Sequence, residues 1–379
     1  MKPLENKRIV LAVTGSIAAV DTVRLAHELR RRGAQVIPVM SEAACGIISP
    51  EALTYACGTH CCTKITGLVE HVLWCGEGGA ADLLLIAPST ANTISKIASG
   101  IDDTTVTTFA TTAIGRGMPI VLAPAMHESM YRHPAVKKNL ETLRSFGIAI
   151  VPPKMEEERA KIAEIETICL YAERAVTMQT LSGKRVLISS GACREKVDSV
   201  RVLTTRSSGV MGRELALEAF RRGAEVTVVS NTALYGNVPC VKNIPVVSAA
   251  DMADAVLALA DSTDIYVSAA AISDFVPEAA DEKIPSGKLV TLTLSPAPKL
   301  INRLLGRGIS VIGFKIGEDA DSAAQKLLQE TDIAAVAANH PETMGSSAGA
   351  YRIYTRDGRV TEASGDKKEI AGKLWDAVL

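Results

Sequence analysis

Three short polar runs in the first half of the chain place hydroxyls and backbone amides where an anion can be held. Gly15-Ser16-Ile17 follows one apolar segment and opens a helix-prone one; Ser41-Glu42-Ala43 follows a second; Thr90-Ala91-Asn92-Thr93, within Ala87–Asp103, follows a third. Free N–H groups and a hydroxyl at the start of a helix form a ready anion site. A single glycine after a strand is as often a tight turn. Three polar loops on one edge of an open parallel sheet are what a mononucleotide pocket requires. The thiols offer less. Of the eight cysteines (Cys45, Cys57, Cys61, Cys62, Cys75, Cys169, Cys193 and Cys240), Cys57, Cys61 and Cys62 invite a metal reading. Their spacing fits no standard zinc pattern, and the expectation is a helix end and loop with partly buried thiols.

The elements that must carry these runs are legible. At 379 residues the chain is long enough for two domains, each with its own core. An apolar share of 47% against 22% charged places it among soluble globular proteins. A formal net charge of -1 excludes general attraction to nucleic acid or to an anionic membrane, so anionic ligands need local devices. No apolar run reaches the roughly 18–20 residues that span a bilayer. The charged start Met1–Arg8 is unlike a signal peptide, and a cytoplasmic location is expected.

Two segments show the same order. One runs from Lys7 through Ile9–Val13 to Gly15-Ser16, along a helical stretch to Arg32, then from Gly33 to Val39. The other runs from Lys184 to Gly191, through a longer insertion and helix to Arg222-Gly223, then to Val229. Strand, glycine turn, helix, glycine stop, strand is the α/β pattern of two Rossmann-like domains, each a mostly parallel sheet with helices on both faces. Further strands are expected at Asp82–Ala87, Ile120–Leu122, Ile148–Val151, Ile265–Ser268, Ser310–Gly313 and Ile333–Ala337. Lys154–Thr180 reads as charged and helix-prone, with the boundary within 175–183, giving domains 1–180 and 181–379. Arg356-Asp357-Gly358 marks a hairpin, and a helix is expected from Asp366.

His71, Ala87–Asp103 and Ala123–Met130, the last reading Ala123-Pro124-Ala125-Met126-His127-Glu128-Ser129-Met130, together resemble the flavoprotein family of cysteine decarboxylases across nearly all of residues 7–150. The resemblance implies phosphopantothenoylcysteine decarboxylation with FMN held by Gly15, Ser16, Ile17, Ser41, Glu42, Ala43, Thr90, Ala91, Asn92, Thr93 and Ala125. It makes His71 the active-site histidine and puts Met130 at the substrate. FMN takes the thiol to a thioaldehyde, so that CO2 leaves from a carboxylate β to an electron sink. Two departures stand out. His127 replaces an asparagine that contacts the substrate carboxylate in the family; it can still donate a hydrogen bond. The stretch Lys154–Ala163 corresponds to a flap that usually carries a proton-donating cysteine and has none here. Cys169 is the nearest downstream, and Lys161 or water are alternatives.

From Leu181 to the end, the runs Gly191–Arg201, Ser207–Gly212, Ala271–Phe275, Lys283-Ile284, Gly313–Glu318 and Ala338-Asn339 resemble the phosphopantothenoylcysteine synthetase domain. The resemblance implies CTP, with ATP as the alternative, and Mg2+, activating 4′-phosphopantothenate for attack by the cysteine amine. Asp274, Lys283, Phe314 and Lys326 would form the nucleotide site, with Lys283 catalytic. Arg201, Thr205, Arg206, Ser207, Ser208 and Gly209 would meet the substrate, and Ser207–Gly212 at a helix start suits a phosphate or acyl phosphate. Thr205 stands where the family has asparagine, Val210 where it has lysine, and Glu330 where a second lysine is common. The whole reads as a divergent bifunctional enzyme of coenzyme A synthesis, ligating first and decarboxylating second. The family implies homo-oligomers, trimeric through the decarboxylase and dimeric through the ligase, with no nucleic-acid or membrane partner. A regulatory flavin-binding protein that has lost activity is the alternative. A flavin prenyltransferase is disfavoured by the second domain.

Overall fold

Runs of Val, Ile and Leu with polar turns at both ends become strands covered on both faces, because only burial on both sides satisfies so apolar a ribbon. The computed structural model describes residues 2–156, 159–231, 241–287, 289–343 and 345–379. Cys240, and Glu157 and Glu158 of the expected flap, lie outside the described residues. The chain divides into two compact units, Met1–Met178 and Gln179–Leu379.

In the first unit five parallel strands lie in the spatial order Gln35–Met40, Arg8–Val13, Leu83–Ser89, Ile120–Pro124, Ala149–Ile150. Alternate residues of one strand serve opposite faces. Ile9, Leu11 and Val13 enter one core, while Val10 and Ala12 enter the other. The last strand is two residues long rather than the four expected.

In the second unit eight strands follow the order Lys242–Pro245, Glu225–Ser230, Arg185–Ser190, Ile265–Ser268, Ser310–Ile316, Ala335–Asn339, Ala348–Thr355, Val360–Asp366. The first six are parallel. The last two form an antiparallel hairpin whose turn uses Gly358 at φ 87°. The closing helix, Lys367–Val378, is capped by the Asp366 carboxylate, which accepts from Glu369 N–H at 2.8 Å.

Two expectations change. Residues 154–161 are not helical: Lys154–Glu156 and Arg159–Lys161 form an antiparallel hairpin, paired through Met126↔Ala160 and His127↔Arg159 to the short strand Met126–His127. The strand partner overrides local helix propensity, and the helix starts only at Ile165. The strand expected over Ile333–Ala337 runs from Ala335 to Asn339, because its pairing to the neighbouring strand begins at Ile312↔Ala335.

Candidate functional site

In the first unit the order of strands reverses between Arg8–Val13 and Leu83–Ser89. A crevice opens outside the carboxyl ends of such a pair. Four loops are knotted together there. Thr14 Oγ1 donates to Pro88 O at 2.8 Å and accepts from Thr90 N–H at 3.1 Å. Ser41 N–H donates to Val13 O at 3.1 Å, and Ala125 N–H to Ser89 O at 3.0 Å. Gly15 sits so close to the Ser41–Ala43 loop that an added Cβ would lie 2.6 Å from Ala43 Cβ. The structure therefore brings together Gly15, Ser16, Ile17, Ser41, Glu42, Ala43, Thr90–Thr93 and Ala125. Thr14, which does the tying, was missed; its signal was a threonine directly before Gly15-Ser16.

The hydroxyls are aimed by their own caps. Ser16, Ser41 and Thr90 accept from the N–H groups of Ala18, Ala44 and Thr93, which leaves the O–H protons of Ser16 and Ser41 to donate elsewhere; Thr90 Oγ1 also shares a hydrogen bond with Thr93 Oγ1 at 3.1 Å. Ser16 opens a 3-10 turn, Ile17–Asp21, before the α-helix Thr22–Arg31. The fully buried Ser89 Oγ has no partner among the described residues. An orphaned hydroxyl beside the Ser16 and Ser41 donors fits a polar cofactor better than an apolar filling.

His71 stands on the short helix Glu70–Cys75, its ring edge-on to Phe109 at 6.4 Å. Its Nδ1 is buried without a hydrogen-bond partner among the described residues. No hydrogen bond links it to the four loops. His127 and Met130 are exposed, at and just after the strand that pairs with the 154–161 hairpin. The hairpin thus stands beside His127, with Lys161 in its second strand. Cys169 is fully buried inside helix Ile165–Val176, outside the 154–161 hairpin, and burial pushes its thiol up to about 12; it does not stand at the flap. Cys57 and Cys61 are raised to about 12 for the same reason, the mark of inert thiols. Among the described residues no group of three His, Cys, Asp or Glu is placed to hold a metal ion.

In the second unit the strand order reverses between Arg185–Ser190 and Ile265–Ser268. At their carboxyl ends lies a cleft walled by Ser207–Gly212, Ala269–Ala271, Phe314, Asn339, Tyr351 and Lys367. Gly212 permits this: a Cβ there would meet Ser190 Oγ at 2.2 Å, so the helix Val210–Arg221 can press onto the strand. Phe314 meets Tyr351 edge-on at 6.2 Å and makes an apolar wall.

Residues 1–176 are matched by the Flavoprotein family model. Residues 181–379 are matched by the model of the DNA/pantothenate metabolism flavoprotein C-terminal domain. Over its whole length the chain is 44% identical to the coenzyme A biosynthesis bifunctional protein CoaBC of Thermococcus kodakarensis, covering 96% of that protein. It is 38% identical to the CoaBC of Methanocaldococcus jannaschii, covering 94% of it. With the Bacillus subtilis CoaBC it shares 33% identity over 95% of this chain and 93% of that one. The chain belongs to the CoaBC family. It is a bifunctional enzyme of coenzyme A biosynthesis, with a flavoprotein decarboxylase and a ligase.

Not every residue picked for the CoaBC ligase site lines the cleft. Ser207, Ser208, Gly209 and Phe314 do; Arg201, Thr205, Arg206, Asp274, Lys283 and Lys326 do not. Lys326 is exposed on helix Ala320–Glu330 and pairs at 3.7 Å with Glu330, the residue that stands where relatives carry a second lysine. Thr205 Oγ1 is buried without a hydrogen-bond partner among the described residues. Asp274 and Lys283 lie on an exposed arm around the strand pair Phe275–Pro277 and Leu294–Pro296.

That arm is anchored by Asp198, which sequence reasoning quoted but gave no role. Its buried carboxylate accepts from Val200 N–H at 2.8 Å, Arg201 N–H at 2.7 Å and Ile284 N–H at 3.1 Å, and pairs with the Arg201 guanidinium. Burial raises the Asp198 carboxyl. These donors outweigh it and hold the group far below the usual carboxylate range. Arg201 also donates to Ile284 O at 3.1 Å. Lys283 is therefore tethered through its neighbour to the Asp198 turn.

Proposed function

We propose that the second unit joins cysteine to 4′-phosphopantothenate with CTP, ATP being the alternative, and that the first unit decarboxylates the product with FMN to give 4′-phosphopantetheine. The observation that carries this reading is the placement of polar loops at the strand-order reversal of both sheets, the crevice where open α/β sheets bind nucleotides. The relatives named CoaBC support the pairing of the two activities in one chain.

In the first unit Ser16, Ser41 and Thr90 donate to the FMN phosphate, with Gly15 letting two of the loops meet. Glu42 supplies the one charge in these loops, and it is negative, so backbone amides and hydroxyls hold the phosphate. When bound, FMN supplies a reversible two-electron oxidant for the substrate thiol. His71 moves the proton at its free ring nitrogen. His127 donates to the substrate carboxylate next to Met130, and the 154–161 hairpin serves as the flap.

In the second unit the start of helix Val210–Arg221 and the hydroxyls of Ser207 and Ser208 hold phosphate oxygens. Phe314 presents its face to the base. Arg201, Thr205 and Arg206 flank the substrate, and Asp274, Lys283 and Lys326 keep their nucleotide roles on the motif match alone. Mg2+ enters as the nucleotide's counter-ion, and no step is assigned to it.

Assembly is homo-oligomeric in this reading, trimeric through the decarboxylase and dimeric through the ligase. Leu68, Val69, Val72 and Leu73, beside His71, are all exposed in the single chain. An apolar patch of this kind supports a subunit contact there.

The test is direct. Purified full chain should be yellow and should release pyrophosphate over many turnovers only when nucleotide, 4′-phosphopantothenate and cysteine are all present, with at most one equivalent per site when cysteine is left out. His71→Asn should abolish CO2 release and spare pyrophosphate release. Failure to release pyrophosphate with either CTP or ATP removes the ligase half of the reading.

A further inference from the structure

Lys367 is the first residue of the closing helix and is 5% exposed. It is the one charged residue among the described residues that line the second unit's cleft. Its backbone N–H is taken by Ser347 O at 3.0 Å. Its ammonium has no hydrogen bond or ion pair among the described residues. The position carries two costs. A largely buried cation without a partner is costly, and a cation at a helix N-terminus meets the positive end of the dipole, here offset by the capping Asp366 carboxylate. Burial accordingly lowers its ammonium from the ordinary lysine range. Across the cleft stands another positive end, the start of the 12-residue helix Val210–Arg221, with Ser207, Ser208 and Gly209 leading into it. The start of helix Val210–Arg221 and the Lys367 side chain face one cleft with no carboxylate among its described lining residues, while the closing helix's own start is capped by Asp366. An anion in the cleft would pair with the Lys367 ammonium and with the start of helix Val210–Arg221 at once.

We propose that Lys367 is a phosphate-binding residue of the second unit, neutralising a phosphoryl group held at the Ser207–Gly212 helix start. The inference rests on the ligase reading only for which substrate brings that phosphate: the nucleoside triphosphate, or the phosphomonoester of 4′-phosphopantothenate. Sequence inspection passed Lys367 over because its burial comes from the antiparallel hairpin and the closing helix, which local composition does not place against the cleft.

The test uses full-length protein and begins with inorganic triphosphate, whose binding does not depend on turnover. Calorimetry should show wild-type binding, with Lys367→Met weakening it at least about tenfold, as expected for one charged hydrogen bond. Lys367→Arg should keep most of the affinity. The ligand-free Tm of Lys367→Met should equal or exceed that of wild type, because a buried unpaired charge has been removed. Repeating the titration with CTP and with 4′-phosphopantothenate identifies the source, and weakening of either one supports the site. Three results overturn it: triphosphate that does not bind wild type, equal binding by wild type and Lys367→Met, or equal losses of affinity and Tm in both variants. Wild type that binds triphosphate through Lys367 but releases no pyrophosphate keeps this site and removes the ligase reading.

Discussion

In the first unit Leu4 N–H donates to Arg32 O at 2.9 Å, Lys7 N–H to Leu4 O at 3.1 Å, and Gln35 N–H to Lys7 O at 2.8 Å. In the second unit Leu181 N–H donates to Arg222 O at 2.8 Å, Lys184 N–H to Leu181 O at 3.0 Å, and Glu225 N–H to Lys184 O at 2.9 Å. Asp82 takes Arg8 N–H at 2.7 Å, and Asp264 takes Arg185 N–H at 2.7 Å. The entry to each sheet is built bond for bond alike. The crevices are not. In the first, amides and hydroxyls stand without a cation among the loops; in the second, a buried lysine faces a helix start. One β–helix–β frame thus carries two chemistries, set by what is placed at the carboxyl ends of its strands.

The arginine clamps break the symmetry most sharply. Arg32 holds Glu28 at 2.9 Å and Glu173 at 2.8 Å, and Glu173 is fully buried. Arg222 holds Glu218 at 2.9 Å and Asp376 at 2.7 Å, but the Asp376 side chain is 69% exposed. Glu173→Ala leaves the mostly buried Arg32 guanidinium with Glu28 alone and should cost about 1.5–3 kcal/mol, the loss of one charged hydrogen bond. Asp376→Ala should cost about 1 kcal/mol or less. Urea denaturation of each variant checks the contrast, and equal losses would make the two clamps equivalent.

Next in size are the glycines. Gly212→Ala brings a Cβ onto Ser190 and should cost about 1–3 kcal/mol by overpacking. Gly15→Ala forces the Thr14–Ile17 and Ser41–Ala43 loops apart and should lose FMN, read as lost visible absorbance after gel filtration. Retained FMN in Gly15→Ala would detach the flavin from these loops.

A smaller effect concerns the paired aspartate at the second sheet's entry. Hydrogen bonds from the Arg185 side chain and backbone depress the Asp264 carboxyl to about 2. A depressed carboxylate stabilises the fold fully above its unfolded value and loses that contribution as pH falls through the folded one. The advantage of wild type over Asp264→Asn should therefore shrink between about pH 4 and pH 2. Denaturation midpoints across that range measure it. The least effect is expected at Lys326→Ala, whose exposed pair with Glu330 should contribute less than about 0.5 kcal/mol. A collapse of pyrophosphate release in that variant would show that the lysine is recruited to the nucleotide.

Legibility followed the range of the interactions. Strands such as Ile265–Ser268 were readable from their own residues, and so were the loops Gly15–Ile17 and Thr90–Thr93, because a helix start advertises itself locally. The 154–161 hairpin was not, since its strand character comes from Met126–His127 far upstream. Ala338-Asn339 was quoted as a motif, and the sheet register is what puts Asn339 in the cleft wall. Asp198 and Lys367 look like ordinary surface charges until tertiary packing buries them.

The most direct measurement is a mass-resolved time course on the purified full chain with FMN, 4′-phosphopantothenate, cysteine, CTP and Mg2+. Pyrophosphate should appear with a rising and then falling pool of 4′-phosphopantothenoylcysteine, followed by CO2 and 4′-phosphopantetheine; His71→Asn should stop at the first product. A chain that forms no 4′-phosphopantothenoylcysteine with CTP or ATP, or that leaves the supplied compound intact in the presence of FMN, contradicts the account.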